Sequence, residues 1–237
     1  MSIQAIDILR RVKEVIYDIF WPKKCIKCNK IISLGKKEAI CRKCEAGVLM
    51  NSSVVIEPDR YFEEVNCALP YEDYVRKYMI DYKFHSYKYL SHAFAKAIEK
   101  IVEGREFLDT HKIICPVPIH HMRDREYNQS LLIARELSEK FSLELCPDLL
   151  IKTKNIKPMS SMGYAKRYAS VTGVVDFNLR YDVYGKNVIL VDDIYTTGST
   201  ADECAKILRM HGCENVIVLT SCYRDPTKGD VYFADAD

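Results

Sequence analysis

Two stretches of this sequence carry residue types at spacings that can do chemistry. In the first, Cys25, Cys28, Cys41 and Cys44 form two Cys-x2-Cys pairs separated by twelve residues. Four soft thiolates spaced in this way suit one tetrahedral ion, and zinc is the ordinary occupant of four-cysteine sites. Sulfur fills every ligand position, so no place is left for a substrate and the expected role is structural. Four merely buried thiols would not need paired two-residue gaps. No His-x-Glu precedes the pairs, which argues against a deaminase centre. The second stretch, Val188 to Thr200, reads V-I-L-V-D-D-I-Y-T-T-G-S-T: a buried strand, two acids, and a small-residue turn entering a helix. Asp192 and Asp193 at the carboxyl end of a strand suit the vicinal hydroxyls of a sugar, or a magnesium ion. Thr196, Thr197, Gly198, Ser199 and Thr200 offer backbone N–H groups and hydroxyls at a helix N-terminus, which is how a phosphate monoester is held. No lysine follows the glycine, so this is not a Walker loop.

These residues need a scaffold that delivers them to one place. Between residues 72 and 220 the pattern alternates: a helical pair near 72–102, a strand at 113–117, a helix at 129–141 and a strand near 145–151. Strands near 174–178 and at 188–191, a helix at 200–211 closed by Gly212, and a strand at 216–220 complete the series. Such alternation predicts an α/β fold, a parallel sheet with helices on both faces. Ahead of it, Ile3, Ile6, Leu9, Val12, Ile16, Ile19 and Phe20 recur at helical spacing until Pro22 ends the pattern. Residues 45–64 show no clear period and contain Asn51, Ser52, Ser53, Pro58 and Asp59, so they read as a linker. The expected division is residues 1–60 for the helix, the four-cysteine module and its linker, and residues 61–237 for the main domain.

Composition sets outer bounds. With 48% hydrophobic and 29% charged residues, the 237-residue chain is of ordinary globular make-up. Arg10, Arg11, Lys13, Glu14 and Asp18 interrupt the most apolar region, so neither a membrane span nor a signal peptide is expected. That places the chain in the cytoplasm, where ten cysteines are read first as ligands or buried thiols. The net charge of +2 announces no nucleic acid, although residues 1–60 carry +5 and the remainder −3. From Arg76 to Tyr89, however, cations interleave with rings (Lys77, Tyr78, Tyr82, Lys83, Phe84, His85, Tyr87, Lys88), the make-up of a single-strand stacking platform or of amphipathic helices that bury their tyrosines.

The segment from Asp192 to Thr200 resembles the 5-phosphoribosyl-1-pyrophosphate (PRPP) signature of type I phosphoribosyltransferases. The resemblance implies that Asp192 and Asp193 face the ribose while Thr196 to Thr200 wrap the 5-phosphate. Together with the four cysteines, the motif P-V-P-I-H-H-M-R-D-R-E-Y-N-Q-S at Pro116–Ser130 and the Tyr82-Lys83-Phe84 step, the chain resembles the ComF family of bacterial phosphoribosyltransferase-like proteins. It departs from the family at Glu126, where glycine is usual, and at Met159 and Ser170, while Arg167 keeps the family's basic position. The resemblance implies a structural zinc, PRPP bound with magnesium, and a link to DNA uptake in natural competence. Lys83, Arg123, Arg125 and Arg167 are then the candidate contacts to diphosphate or substrate. Hypoxanthine-type transferases carry an acid where this chain has Thr196, and an alcohol does not take a proton from a purine nitrogen, so that subtype is disfavoured. No residue is assigned proton transfer. Two functions remain open on these residues: magnesium-dependent phosphoribosyl transfer, or a non-catalytic PRPP sensor or adaptor that handles single-stranded DNA or meets a protein of the competence machinery.

Overall fold

The structure is a computed structural model that describes residues 22, 24–32, 40–44, 52–57, 59–119, 127–152 and 175–224. The helix expected over residues 3–20 lies outside them, as do residues 120–126 and 153–174. The sheet begins with β1 (Ser53–Val55) and β2 (Glu64–Pro70), followed by α1 (Asp73–Phe84), α2 (Leu90–Val102) and a single helical turn, α3 (Phe107–Thr110). Next come β3 (Ile113–Pro116), α4 (Gln129–Phe141), β4 (Glu144–Leu145), β5 (Leu150–Lys152) and β6 (Val175–Phe177). The last described elements are β7 (Asn187–Tyr195), α5 (Ser199–Met210) and β8 (Asn215–Tyr223).

Among the described residues, six strands form one sheet in the order β1-β2-β8-β7-β3-β4, and β5 pairs with β6 apart from it. Only β1 runs antiparallel in the main sheet; β2 with β8, β8 with β7, β7 with β3 and β3 with β4 are all parallel. A parallel sheet is covered on both faces, and its central strands are therefore continuous apolar runs. Val188 to Val191 and Val216 to Ser221 are buried without a break. Alternate residues feed two cores. Ile114, Ile189, Val191, Ile217 and Leu219 pack with α1, α2 and α4, whereas Cys115, Val188, Leu190, Val216 and Val218 pack with α5 and the β5–β6 pair.

Each helix follows from its own spacing and ends. In α2, Leu90, Ala93, Phe94, Ala97 and Ile98 make a buried stripe at three- and four-residue steps. Asn128 caps α4, its side chain accepting the Leu131 N–H at 3.2 Å, and Ser142 closes the helix in the left-handed region. Gly198 (φ +72) turns the chain into α5, and Gly212 (φ +86) turns it out again.

Several boundaries differ from the sequence reading. The stretch expected as a linker holds β1, and β2 follows it directly, joined to the sheet through β8. The strand expected near 145–151 is two short ones, because the chain leaves the main sheet after Leu145 and Leu150–Lys152 pairs antiparallel with β6. β7 continues to Tyr195, so both acids belong to the strand and do not lie beyond it.

The cysteine pairs pack on the face that carries α1. Cys25, Ile26, Ile32 and Ile40 share a core with Tyr78, Met79 and Tyr82, and the Tyr78 hydroxyl donates to Asn29 Oδ1 at 2.7 Å.

Candidate functional site at the carboxyl ends of the strands

From β3 the chain crosses through α4 to β4 on one side of the sheet. From β7 it crosses through α5 to β8 on the other. Neighbouring strands whose connections diverge leave a crevice at their carboxyl ends, the usual ligand position in open α/β sheets. Here it holds a cavity of about 540 Å³ lined by Tyr71, Lys83, Val117, Pro118, Ile119, Ser130, Lys152, Asp192, Asp193, Ile194, Thr196, Thr200 and Arg224. The strand register explains this gathering. Tyr71 follows β2, Val117 follows β3, Lys152 ends β5 and Arg224 follows β8.

Asp192 and Asp193 occupy successive positions of a strand, so their side chains leave opposite faces. The Asp193 carboxylate is buried and meets the Lys83 ammonium at 2.8 Å, from the last turn of α1. Both side chains are largely out of water, at 14% and 10% exposure, which strengthens their attraction relative to a surface pair. Asp192 Oδ1 accepts the Asp193 N–H at 2.8 Å and the Ser130 hydroxyl at 3.3 Å from the first turn of α4. Burial pushes the Asp192 carboxyl up to about 7, with the Asp193 charge adding to the rise and the Asp193 N–H, Lys83 and Ser130 opposing it.

The turn after β7 supplies the other wall. Thr196 and Thr200 line the cavity, Thr197 and Ser199 are exposed with their hydroxyls 3.0 Å apart, and Gly198 is buried beneath them. The first N–H groups of α5 have no carbonyl a turn earlier to bond, and they carry the positive end of the helix dipole. An anion with several oxygens matches that wall.

The structure thus brings Asp192, Asp193, Thr196, Thr200 and Lys83 to one cavity, while Thr197, Gly198 and Ser199 complete the turn above it. Arg123, Arg125 and Arg167 lie outside the described residues. Tyr71, Lys152 and Arg224 were not singled out by sequence, and Ser130 figured only as the last residue of a motif. A signal was available for Lys152 and Arg224, since both are cations at strand ends.

The four cysteines also converge. Their sulfur atoms all lie within 4.8 Å of one another, and Cys28 Sγ and Cys41 Sγ are 3.8 Å apart. Zinc–sulfur bonds of about 2.3 Å in a tetrahedron put sulfurs about 3.8 Å apart, so the donor set fits a zinc knuckle. The Cys25 N–H bonds Lys30 O, the Asn29 N–H bonds Cys25 O, and Asn29 takes a left-handed conformation, which folds the first pair into a tight turn. Burial raises the Cys25 thiol, whereas backbone and thiol donors outweigh burial at Cys41 and bring it down to about 7. No other group of three or more potential ligands occurs among the described residues.

Comparison with known proteins agrees with this geometry. The family model of the phosphoribosyl transferase domain matches residues 128–236. Competence protein F of Haemophilus influenzae is 27% identical over 145 residues, covering 58% of this chain and 62% of that protein. Competence protein ComFC of Bacillus subtilis is 25% identical over 192 residues, covering 79% and 72%. The chain is a homologue of these competence proteins, with a phosphoribosyl transferase domain. DNA utilization protein YhgH of Escherichia coli is 29% identical over 111 residues, covering 46% of this chain and 48% of that one. The chain spans less than two thirds of the length of the Haemophilus and Escherichia relatives. No described helix is long and apolar enough to cross a membrane.

The raised Asp192 carboxyl has a thermodynamic signature. Its folded-state value, about 7, lies above the ordinary 3.8, so the folded state binds the proton more tightly. Unliganded stability therefore falls as pH rises from about 4 to 7, by at most roughly 1.4 kcal/mol per pH unit from this group. Asp192→Asn is expected to be more stable than the parent at pH 8, with the advantage shrinking towards pH 4. Denaturation across that range checks this, and a pH-independent difference between the two proteins would contradict it.

Proposed function

We propose that the chain binds PRPP with magnesium in the cavity between β3 and β7, acting as a phosphoribosyltransferase-like protein in competence-linked DNA uptake. The observation that carries this reading is that two acids and the turn entering a helix line one cavity. A ribose 5-phosphate has both complements, a monoester for the turn and vicinal hydroxyls for the acids. Asp192 and Asp193 would accept from the ribose hydroxyls, and Thr196 to Thr200 would hold the 5-phosphate through N–H and hydroxyl donors. Lys83 would neutralise charge next to the acids, with Arg123, Arg125 and Arg167 as further candidates for the diphosphate. Magnesium would travel with the diphosphate and offset its charge. Phosphoribosyl transfer to an acceptor is the reaction such a site supports, and a PRPP sensor uses the same contacts without transfer. The cysteine knuckle would hold a structural zinc, and the chain would work in the cytoplasm. Residues 1–60 would form the front module and 61–237 the transferase-like domain.

A second reading rests on the rings between α1 and α2. Tyr78 and Tyr82 are buried in the core, but Phe84, Tyr87 and Tyr89 are exposed by 58%, 43% and 59%. Tyr87 and Tyr89 have ring centroids 5.7 Å apart, and Lys88 Nζ lies 5.2 Å from the Tyr127 ring. Exposed rings with interleaved cations can stack the bases of single-stranded DNA, consistent with a DNA-handling adaptor.

Three measurements test these assignments. PRPP with magnesium should raise the melting temperature, because a ligand of the native state shifts unfolding by mass action, by about 2.7 kcal/mol at a hundredfold excess over Kd. Asp192→Asn combined with Asp193→Asn should abolish the shift, and unchanged PRPP affinity in that variant would remove the ribose assignment. The purified protein should carry about one zinc per chain, and Cys41→Ser should lower both metal content and stability; full zinc occupancy in a folded Cys41→Ser protein would exclude Cys41 as a ligand. Affinity for single-stranded DNA should fall steeply with salt. Lys88→Ala should flatten that slope, and Tyr87→Ala should weaken binding with less effect on it. No retention of single strands at low salt would end the adaptor reading.

A further inference from the structure

Behind the phosphate turn, away from the cavity, a second set of side chains closes on the same loop. Arg60, in the segment leading into β2, donates from Nη2 to the carbonyl oxygen of Thr197 at 2.9 Å. Its Nε donates to Glu57 Oε2 at 2.7 Å, and its Nη1 lies 3.5 Å from Asp202 Oδ2 in the first turn of α5. The Tyr195 hydroxyl donates to the other oxygen of the same glutamate, Oε1, at 2.6 Å. The Tyr61 N–H donates to Asp202 Oδ1 at 2.9 Å. Tyr195 also packs under the turn: a Cβ on Gly198 would stand 2.5 Å from its hydroxyl oxygen. The Tyr195 hydroxyl and the Arg60 guanidinium hold the Glu57 carboxyl below its ordinary range against its burial.

We infer that Glu57, Arg60 and Tyr195 form a latch that sets the conformation of the phosphate turn, making them positioning residues for the site. This deepens the reading of the cavity as a PRPP site and rests on it. The argument runs through one peptide plane. In a trans peptide the carbonyl and the following N–H point in opposite directions. Anchoring the Thr197 carbonyl on Arg60 therefore turns the Gly198 N–H away from Arg60, and Arg60 is not among the residues that line the cavity. Gly198 has a positive φ and many open conformations, so without an outside anchor that N–H would sample directions useless to an anion. The forked guanidinium ties the carbonyl, the glutamate and the helix's first turn at once, which a point charge would not do. The glutamate in turn fixes the ring under the turn. Anchors from outside a binding loop fix it before the ligand arrives and lower the ordering cost of binding.

The test uses the full chain in parent, Arg60→Gln and Tyr195→Phe forms, with two readouts. The first is the backbone order parameter of the Gly198 amide by NMR relaxation in the absence of ligand. It is expected near the rigid value of about 0.85 in the parent and below about 0.6 in both variants, with the β3 amides unchanged. The second is calorimetric affinity for ribose 5-phosphate, expected to fall by at least about tenfold in Arg60→Gln, the loss of a hydrogen bond to a charged donor. A Gly198 amide as rigid in both variants as in the parent, with unchanged ribose 5-phosphate affinity, overturns the latch. So does a loosening of β3 equal to that of the turn, which would mark a general structural role. If the parent itself fails to bind ribose 5-phosphate or PRPP, the PRPP reading falls, and the ligand-free order parameters still decide whether the latch exists.

Discussion

Two adjacent carboxylates sit at the end of a buried central strand, and the elements around them must offset their charge. A carboxylate removed from water costs several kcal/mol unless cations and donors compensate it. Here compensation is drawn from separate elements: Lys83 from α1, the Ser130 hydroxyl from α4, and the Asp193 N–H from the strand itself. The acids therefore constrain where both helices on that face end or begin. The compensation is incomplete, since the Asp192 carboxyl still lies near 7, and a ligand that brings hydroxyl donors or a cation would supply what is missing.

The sheet makes this arrangement possible. Asp192, Ile194 and Tyr195 remain in ladder register with Thr220, Cys222 and Tyr223 of β8, so main-chain pairing carries the strand past both acids. β3 pairs with β7 only as far as Pro116 opposite Val191, which leaves the next residues of both strands to frame the crevice.

Much of this was legible in the sequence, and what was not has physical reasons. The helix at 129–141 was readable to the residue because Asn128 is a strong cap and Ile133, Ala134 and Leu137 mark one face. The turn from Thr196 into α5 and the cysteine pairs were readable because their residues are contiguous or closely spaced. β2 was missed because Asn66 interrupts its apolar run and Pro58 and Asp59 precede it. β7 was foreshortened because adjacent acids are poor strand formers, and only pairing with β8 carries the strand through them. Tyr71, Lys152 and Arg224 meet at the cavity through the fold, and although two of them are cations at strand ends, no window of sequence shows which strand ends become neighbours. The exposed rings divide the Arg76–Tyr89 segment: Tyr78 and Tyr82 serve the core, and Tyr87 and Tyr89 do not.

The walls of the cavity rest on different cores. The wall with Lys83 and Ser130 stands on the core beneath α1, α2 and α4, whereas the wall with Thr196 to Thr200 continues into α5 and the opposite core. The sheet lies between them as a partition. A substitution that repacks one core therefore acts first on the wall that stands on it, so the Lys83–Ser130 side and the Thr196–Thr200 side can be altered separately.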